Sequence, residues 1–247
     1  MTKEACIIFN NATLGYRKNN HTIPILNKTN VSFYPGDLVG IVGLNGVGKS
    51  TLLKSLSGLL PLLDGEIIID KKPILNYPLY ELAKKIAIVL TDRISGFNLT
   101  AYDLVASGQI PYTNTLNRLT KKNTDIIEDA IKTVGITKHQ NKLLHELSDG
   151  LFQKAIIAKA LAQQTQIVAL DEPSAFLDYA SKHELFILLS KLATAQNKCV
   201  LVSSHDLNIL LKYCSQLLVI SNNTMELITV SEAKTHKNFL EIGGGYI

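Results

Sequence analysis

Gly43-Leu44-Asn45-Gly46-Val47-Gly48-Lys49-Ser50-Thr51 decides the fold. It is a complete phosphate-binding loop of the form Gly-x-x-x-x-Gly-Lys-Ser. Leu38-Val39-Gly40-Ile41-Val42 before it is a short apolar run, as a buried strand requires. Thr51-Leu52-Leu53-Lys54-Ser55-Leu56 after it has the periodicity of a helix. A strand that ends, a backbone that turns back and a helix that begins aim several backbone N–H groups at one point. Glycines at 43, 46 and 48 remove the Cβ atoms that would block that convergence. The helix N-terminus adds free N–H groups and partial positive charge. In this geometry Lys49 reaches the β- and γ-phosphates of a nucleotide, and the Ser50 hydroxyl is placed to ligate Mg²⁺.

Working outward, Cys6 to Tyr16 reads as a first strand ending at Gly15, and Ile23 to Tyr34 as two short strands. Pro35-Gly36-Asp37 is a turn that returns the chain into the strand before the loop. Beyond the loop helix, residues 66–70 and 86–90 are strands. Residues 100–107, 123–134 and 137–142 are helices, the middle one amphipathic through Ile126, Ile127, Ala130, Ile131 and Val134. The remainder alternates: helix 150–164, strand 167–170, helix 181–195, strand 199–203, helix 207–212, then closing strands at 216–220 and 225–228. This alternation predicts an α/β fold with a mostly parallel sheet, an antiparallel β-rich start and an inserted helical segment. The Gly243-Gly244-Gly245 tail reads as flexible.

Composition narrows the class. The chain has 247 residues, 46% hydrophobic, enough for a substantial core in one domain or one domain with a subdomain. Net charge is only +4, and without a basic block nothing calls for a nucleic-acid partner. Cys6, Cys199 and Cys214 are scattered without metal-ligand spacing, which suits a reducing compartment. The N-terminus lacks an apolar signal segment, and no apolar run approaches the ~20 residues of a membrane span. The expectation is a soluble, cytosolic protein whose membrane association comes through a partner.

A second site lies in Ile167-Val168-Ala169-Leu170-Asp171-Glu172-Pro173, an apolar strand ending in two acids. The carboxyl end of such a strand is where open α/β sheets bind ligands. By itself the pair reads equally as a solvated turn. Downstream of a complete phosphate loop, Asp171 would hold Mg²⁺, directly or through water, and Glu172 would polarise an attacking water. The third site is Leu147-Ser148-Asp149-Gly150-Leu151-Phe152-Gln153-Lys154. It resembles the Leu-Ser-Gly-Gly-Gln signature of ABC-transporter ATPases, and it stands just ahead of the acid-bearing strand, as in that family. Further landmarks follow the family's order. Tyr16 matches the aromatic that stacks on adenine, Ser174-Ala175-Phe176-Leu177-Asp178 resembles the D-loop, and His205 matches the switch histidine. Each has a plainer reading: Tyr16 as a strand-end aromatic, Asp178 and His205 as helix caps, though Ser204 and Asp206 are better caps than His205. The resemblance runs from about Ala5 to Ile228.

It implies a P-loop NTPase core at about 1–90 and 155–230, a helical subdomain at about 91–154 and a short tail at 231–247, all one ABC ATPase domain. It also implies ATP and Mg²⁺ as cofactors, bound by Tyr16, Gly43, Leu44, Asn45, Gly46, Val47, Gly48, Lys49, Ser50 and Thr51. Ser50 and Asp171 hold the metal, and Glu172, His205 and Lys49 are the catalytic group. Ser148 and Gly150 serve the nucleotide of a second copy, so the implied unit is a homodimer. Transmembrane permease subunits are the implied partners, with a substrate-binding protein acting indirectly, at the cytoplasmic face of a bacterial inner membrane. Residues 100–108 would be the docking surface.

Two departures stand against the pattern. Asp149 replaces the usual glycine and Leu151 the usual glutamine of the signature, and a carboxylate there must point away from the γ-phosphate or weaken ATP binding. The glutamine expected after strand 86–90 is replaced by Thr91-Asp92-Arg93, with Thr91 in the aligned position and Asp92 a competing candidate. Within the family, Leu104-Val105-Ala106-Ser107-Gly108-Gln109-Ile110-Pro111-Tyr112 and His205-Asp206-Leu207-Asn208 resemble importers of iron complexes, haem and vitamin B12. Ferric-siderophore or haem uptake is the first expectation and cobalamin the second. The rivals are a non-transport ABC ATPase of DNA repair or translation, whose coiled-coil insertion or second cassette is not visible here, and a non-hydrolysing regulatory cassette.

Overall fold

The computed structural model describes residues 3–19, 21–90, 98–113 and 118–243. The chain opens with a long hairpin, β1 (Ile7–Lys18) and β2 (His21–Phe33). Where two short strands were expected, β2 is a single strand of 13 residues, and β1 continues past Gly15. Gly15 is not a terminator. It lies opposite Pro24, and a Cβ there would come 2.1 Å from the Ile23 carbonyl oxygen, so only glycine permits the strands to approach. Pro24 is tolerated because β2 is an edge strand in the sheet order β2-β1-β4-β5. A register shift near Asn11, at φ +46°, adds the bend that lets a hairpin this long stay on the core. The sheet is completed by β4 (Asp64–Ile69) and the two-residue β5 (Lys72–Pro73).

The second sheet has the order β10-β9-β3-β8-β7-β6. Its parallel body is β3 (Leu38–Val42), β6 (Ile86–Val89), β7 (Ile167–Leu170), β8 (Cys199–Ser203) and β9 (Gln216–Ser221); β10 (Thr224–Thr229) closes one edge antiparallel to β9. Every residue of β3, β7 and β8 is buried, because both faces of the sheet are covered. Alternation decides which side each serves. Leu38, Val42, Val168, Leu170, Val200 and Val202 join one core, and Val39, Ile41, Ile167, Ala169 and Leu201 join the other.

The second of these cores is closed by α1 (Lys49–Leu56) and the four-stranded sheet. The first is closed by α3 (Ala101–Ala106), α4 (Lys121–Thr133), α5 (Asp149–Ala162), α6 (Tyr179–Thr194) and α7 (Leu207–Tyr213); the short α2 (Leu79–Leu82) precedes β6. The helix expected at 137–142 is one 3-10 turn, Thr137–His139. Residues 231–243 are not a loose tail: α8 (Val230–Ala233) and α9 (Lys237–Ile242) bury Ala233 and Phe239 completely. Phe239 and Ala233 join the core with Leu217 and Val219 of β9, a contact invisible to periodicity because α9 is too short to show any. Gly243 ends α9, and residues 244–247 lie outside the described residues.

Phe239→Ala should therefore cost about 3–5 kcal/mol, the usual range for truncating a fully buried aromatic. Equilibrium denaturation by urea checks this, and a loss below about 1 kcal/mol would show the C-terminal helix to be dispensable to the core.

Candidate functional site

Parallel register brings the candidate residues together. β8 lies between β3 and β7, so the loop after β3, the acids after β7 and residues 203–205 at the end of β8 emerge side by side at the carboxyl ends of the parallel strands. The phosphate loop turns as its sequence requires. Gly46 at φ +78° and Gly48 at φ +121° hold left-handed conformations open to glycine. Helices α3 to α7 each carry a side-chain cap, from Thr100, Thr120, Ser148, Asp178 and Asp206 respectively. Helix α1 has none, and no acid stands in its first turn. Its N–H groups and dipole are left for an anion.

Lys49 is almost wholly buried, and its ammonium donates to the carbonyls of Gly43 at 2.7 Å and Leu44 at 3.3 Å. Burial pulls its pKa below the ordinary lysine value, and the carboxylates of Glu172 and Asp171 act in the opposite sense. Asp171, also buried, accepts from the Ser50 hydroxyl at 2.9 Å and from the Ser203 hydroxyl at 2.7 Å. Two hard oxygen donors from β7 and α1 thus lie against each other, a set that suits Mg²⁺ once phosphate oxygens complete it. Glu172 has φ +47°, a conformation uncommon for a residue with a Cβ. Its N–H donates to Ser203 Oγ at 2.8 Å, and its carboxylate lies 2.6 Å from His205 Nε2. Tyr16 is partly exposed beside Ile23, its cross-strand partner, and its hydroxyl shares a 3.2 Å hydrogen bond with Thr51 Oγ1. Adenine has an aromatic and an aliphatic surface available there.

Ser203 is the residue that sequence reading missed. It is fully buried and joins both acids, donating to one side chain and accepting from the other's backbone. The available signal was a hydroxyl closing the apolar run Cys199-Val200-Leu201-Val202. Ser148 and Gly150 are not brought to the phosphate loop. Ser148 caps α5, accepting from Leu151 N–H, and among the described residues it has no hydrogen bond to residues 43–51. Asp149 is exposed at the start of α5 and lines a small cavity with Glu172, Phe152 and Phe176. Asp178 caps α6 and Asp206 caps α7, which leaves His205 free of a capping role. Thr91, Asp92 and Arg93 lie outside the described residues.

Residues 26–175 match the family model described as ABC transporter. The chain belongs to the ABC transporter family. Within it this chain is an ATP-hydrolysing cassette near the iron-siderophore group. An uncharacterized ABC transporter ATP-binding protein of Methanocaldococcus jannaschii is 37% identical over 213 residues, covering 86% of this chain and 72% of that one. The ferric enterobactin transport ATP-binding protein of Escherichia coli is 33% identical over 208 residues, covering 84% and 75%. Among solved structures, the dimeric bacterial ABC transporter cassette MJ0796 superposes with a TM-score of 0.79 at 25% identity, covering 91% of this chain and 98% of that one.

Ser203→Ala would strip Asp171 of a donor and leave the Glu172 N–H unpaired. It should lower stability by about 1–3 kcal/mol, the cost of orphaning a buried polar group. Turnover should fall more than nucleotide affinity, since the phosphate loop is untouched. Denaturant unfolding, ATPase kinetics and titration with a fluorescent ATP analogue measure the three quantities.

Proposed function

We propose that this cassette powers import of an iron complex, foremost a ferric siderophore, through a separate membrane-embedded permease. The observation that carries the ATPase chemistry is the uncapped α1 facing a Ser50–Asp171–Ser203–Glu172–His205 chain of contacts. The relative that transports ferric enterobactin supports the cargo.

In this reading residues 43–51 cradle the phosphates of ATP, and Tyr16 and Ile23 lie along the base. Ser50 and Asp171 would hold Mg²⁺, which neutralises charge on the phosphate oxygens. Glu172 accepts a hydrogen bond from the attacking water and sets it in line with the γ-phosphorus. The bond to the bridging oxygen then breaks, giving ADP and phosphate. Lys49 moves from its own loop's carbonyls to the phosphate charge, and His205 holds the γ-phosphate side. A fixed array of this kind needs little rearrangement as charge shifts. Ser148 and Gly150 stand apart from their own loop, and a second copy packed head to tail brings them to its nucleotide. Dimeric association in a similar cassette supports this arrangement. ATP then closes the pair, and hydrolysis opens it.

Among the described residues no helix is long and apolar enough to cross a membrane. In this reading the transport path lies in other subunits, with a substrate-binding protein delivering cargo from the far side and this chain at the cytoplasmic face. Within residues 100–108, Ala101, Leu104 and Val105 are buried, which leaves Tyr102 and Asp103 of α3 toward solvent. Exposed apolar groups include Leu59, Leu79, Tyr80, Ile110 and Tyr112. The Lys84 ammonium stands over both Tyr80 and Tyr112, at 5.6 and 5.5 Å from their ring centres. Patches of this composition mark protein contact sites.

Glu172→Gln should retain ATP binding, lose at least about 100-fold in turnover, as expected for removing a group that positions the nucleophile, and accumulate as a closed dimer. Size-exclusion chromatography with light scattering in saturating ATP and Mg²⁺ reads this; a variant that stays monomeric would overturn the two-copy mechanism. Uptake of labelled ferric siderophore, haem and cobalamin in a strain deleted for the chain, complemented with wild type or Glu172→Gln, tests the cargo.

A further inference from the structure

Glu172 borders a cavity of about 10 Å³, the space that one water molecule needs. Leu90, Phe152, Ile156 and Phe176 give it an apolar wall. Asp149, Gln153 and Glu172 are the polar lining residues. An ionised carboxylate only accepts hydrogen bonds, so among these three side chains Gln153 is the donor. Gln153 is 8% exposed, and its amide makes no hydrogen bond among the described residues. Other inward amides on this side of the sheet are tied to the protein. Gln109 donates to the Ala162 carbonyl and accepts from Asn123, and Gln163 donates to the carbonyls of Ala83 and Ile86. A buried amide without a partner is costly, and a water is the usual remedy where the site has room and further polar groups.

The cavity joins α5 to the acid that follows β7. Asp149 and Gln153 stand four apart, on one face of α5, and Glu172 faces them across the cavity. The Glu172 backbone is fixed by Ser203, but its carboxylate is held at one oxygen only. Oε1 lies 2.6 Å from His205 Nε2, and Oε2 has no hydrogen bond among the described residues. In the mechanism above His205 serves the γ-phosphate, so that single tie is given up when the carboxylate must be steady. A water that accepts from the Gln153 amide and donates to Glu172 would hold it through the exchange.

We propose that Gln153 is a positioning residue for ATP hydrolysis: its amide holds one water in this cavity, and that water fixes the Glu172 carboxylate. The attacking water is a different molecule, on the phosphate side. The proposal rests on the role given to Glu172 above and adds what steadies it. The charged and titratable groups that face Glu172 are His205, Lys49, Asp171 and Asp149, and the test leaves all four in place.

The test measures ATPase kinetics of the purified chain with Mg²⁺ for Gln153→Leu and Gln153→Glu. Gln153→Leu nearly keeps the volume and removes the amide. Its kcat should fall about tenfold while KM stays within about twofold, because the phosphate loop and Tyr16 are untouched. Its unfolding midpoint should equal or exceed wild type, since no hydrogen bond within the protein is lost. Gln153→Glu sets a further carboxylate close to Glu172, and like charges resist ionising together. The acid limb of its kcat profile should move to higher pH by about one unit, which a residue serving packing alone would not cause. A high-resolution crystal structure of the chain should show one water within hydrogen-bond reach of both Gln153 and Glu172. A Gln153→Leu chain with kcat within about twofold of wild type or with a lowered unfolding midpoint, an unmoved acid limb in Gln153→Glu, or a cavity without that water would each overturn the proposal. Wild-type turnover by Glu172→Gln would instead remove the role of Glu172, and the proposal with it.

Discussion

Everything at the candidate site depends on β8 being hydrogen-bonded between β3 and β7 in parallel register. Leu38 pairs with Val200 and Ile41 with Ser203 on one side, and Leu170 pairs with Val202 on the other. Ser203 is therefore the last paired residue of its strand, level with the start of the phosphate loop and with the first acid. Its hydroxyl crosses the spacing of about 4.8 Å between neighbouring strands toward the residues after β7. It reaches the Asp171 carboxylate and the Glu172 N–H together. A slip of one residue in β8 would turn that hydroxyl to the opposite face and put a valine between the acids. The register is enforced by the core, since Val200 and Val202 feed one apolar layer and Cys199 and Leu201 the other.

The same arrangement explains how a charged site is stable at the end of an apolar sheet. Buried Asp171 is held by two hydroxyls, Lys49 by two carbonyls of its own loop, and Glu172 is set against His205. Lys49 is a donor in both of its contacts, so a phosphate oxygen can replace its carbonyl acceptors without leaving the ammonium unpaired. The left-handed Glu172 is the exception that strain would predict at a working residue. Its backbone is held there by the Ser203 bond and by the turn in which Ala175 N–H donates to the Glu172 carbonyl.

Legibility in the sequence followed the range of the interaction that fixes each feature. Local patterns were readable: the loop glycines, the all-apolar strands and the amphipathic α4 all depend on neighbours within a few residues. The merged β2 was not. A hairpin's length is set by cross-strand pairing, and Gly15 and Pro24, which look like breaks in one dimension, face each other in three. Ser203 likewise carries no local mark of its role, because both of its partners come from a strand more than thirty positions away. The ordered C-terminal helices are held by a single aromatic, Phe239, packed on β9, and six-residue helices show no periodicity from which to infer that.

Helix α5 gathers these strands of argument into one mechanical element. Its cap and first turn carry Ser148 and Gly150, and its last turns line a cleft with Ile88, Val89 and Leu90. At 14 residues it spans about 21 Å. Its far end is gripped tightly. A Cβ on Gly108 would come 2.4 Å from the Lys159 carbonyl, so the chain after α3 can lie directly on α5 only as glycine. Buried Gln109 then donates to the Ala162 carbonyl and accepts from Asn123 of α4 at 2.7 Å. Gln163 ties the same end to Ala83 and Ile86 at the start of β6. The Gly-x-x-Pro-Tyr stretch is thus a clasp on the carbonyl end of a rigid rod, whose other end presents the cap that a second copy would use. Gly108, Gln109 and Gln163 thus fix this end of α5 against β6 and α4. The clasp residues explain why the stretch between α3 and α4 carries a glycine, a buried amide and a tyrosine hydroxyl in that order.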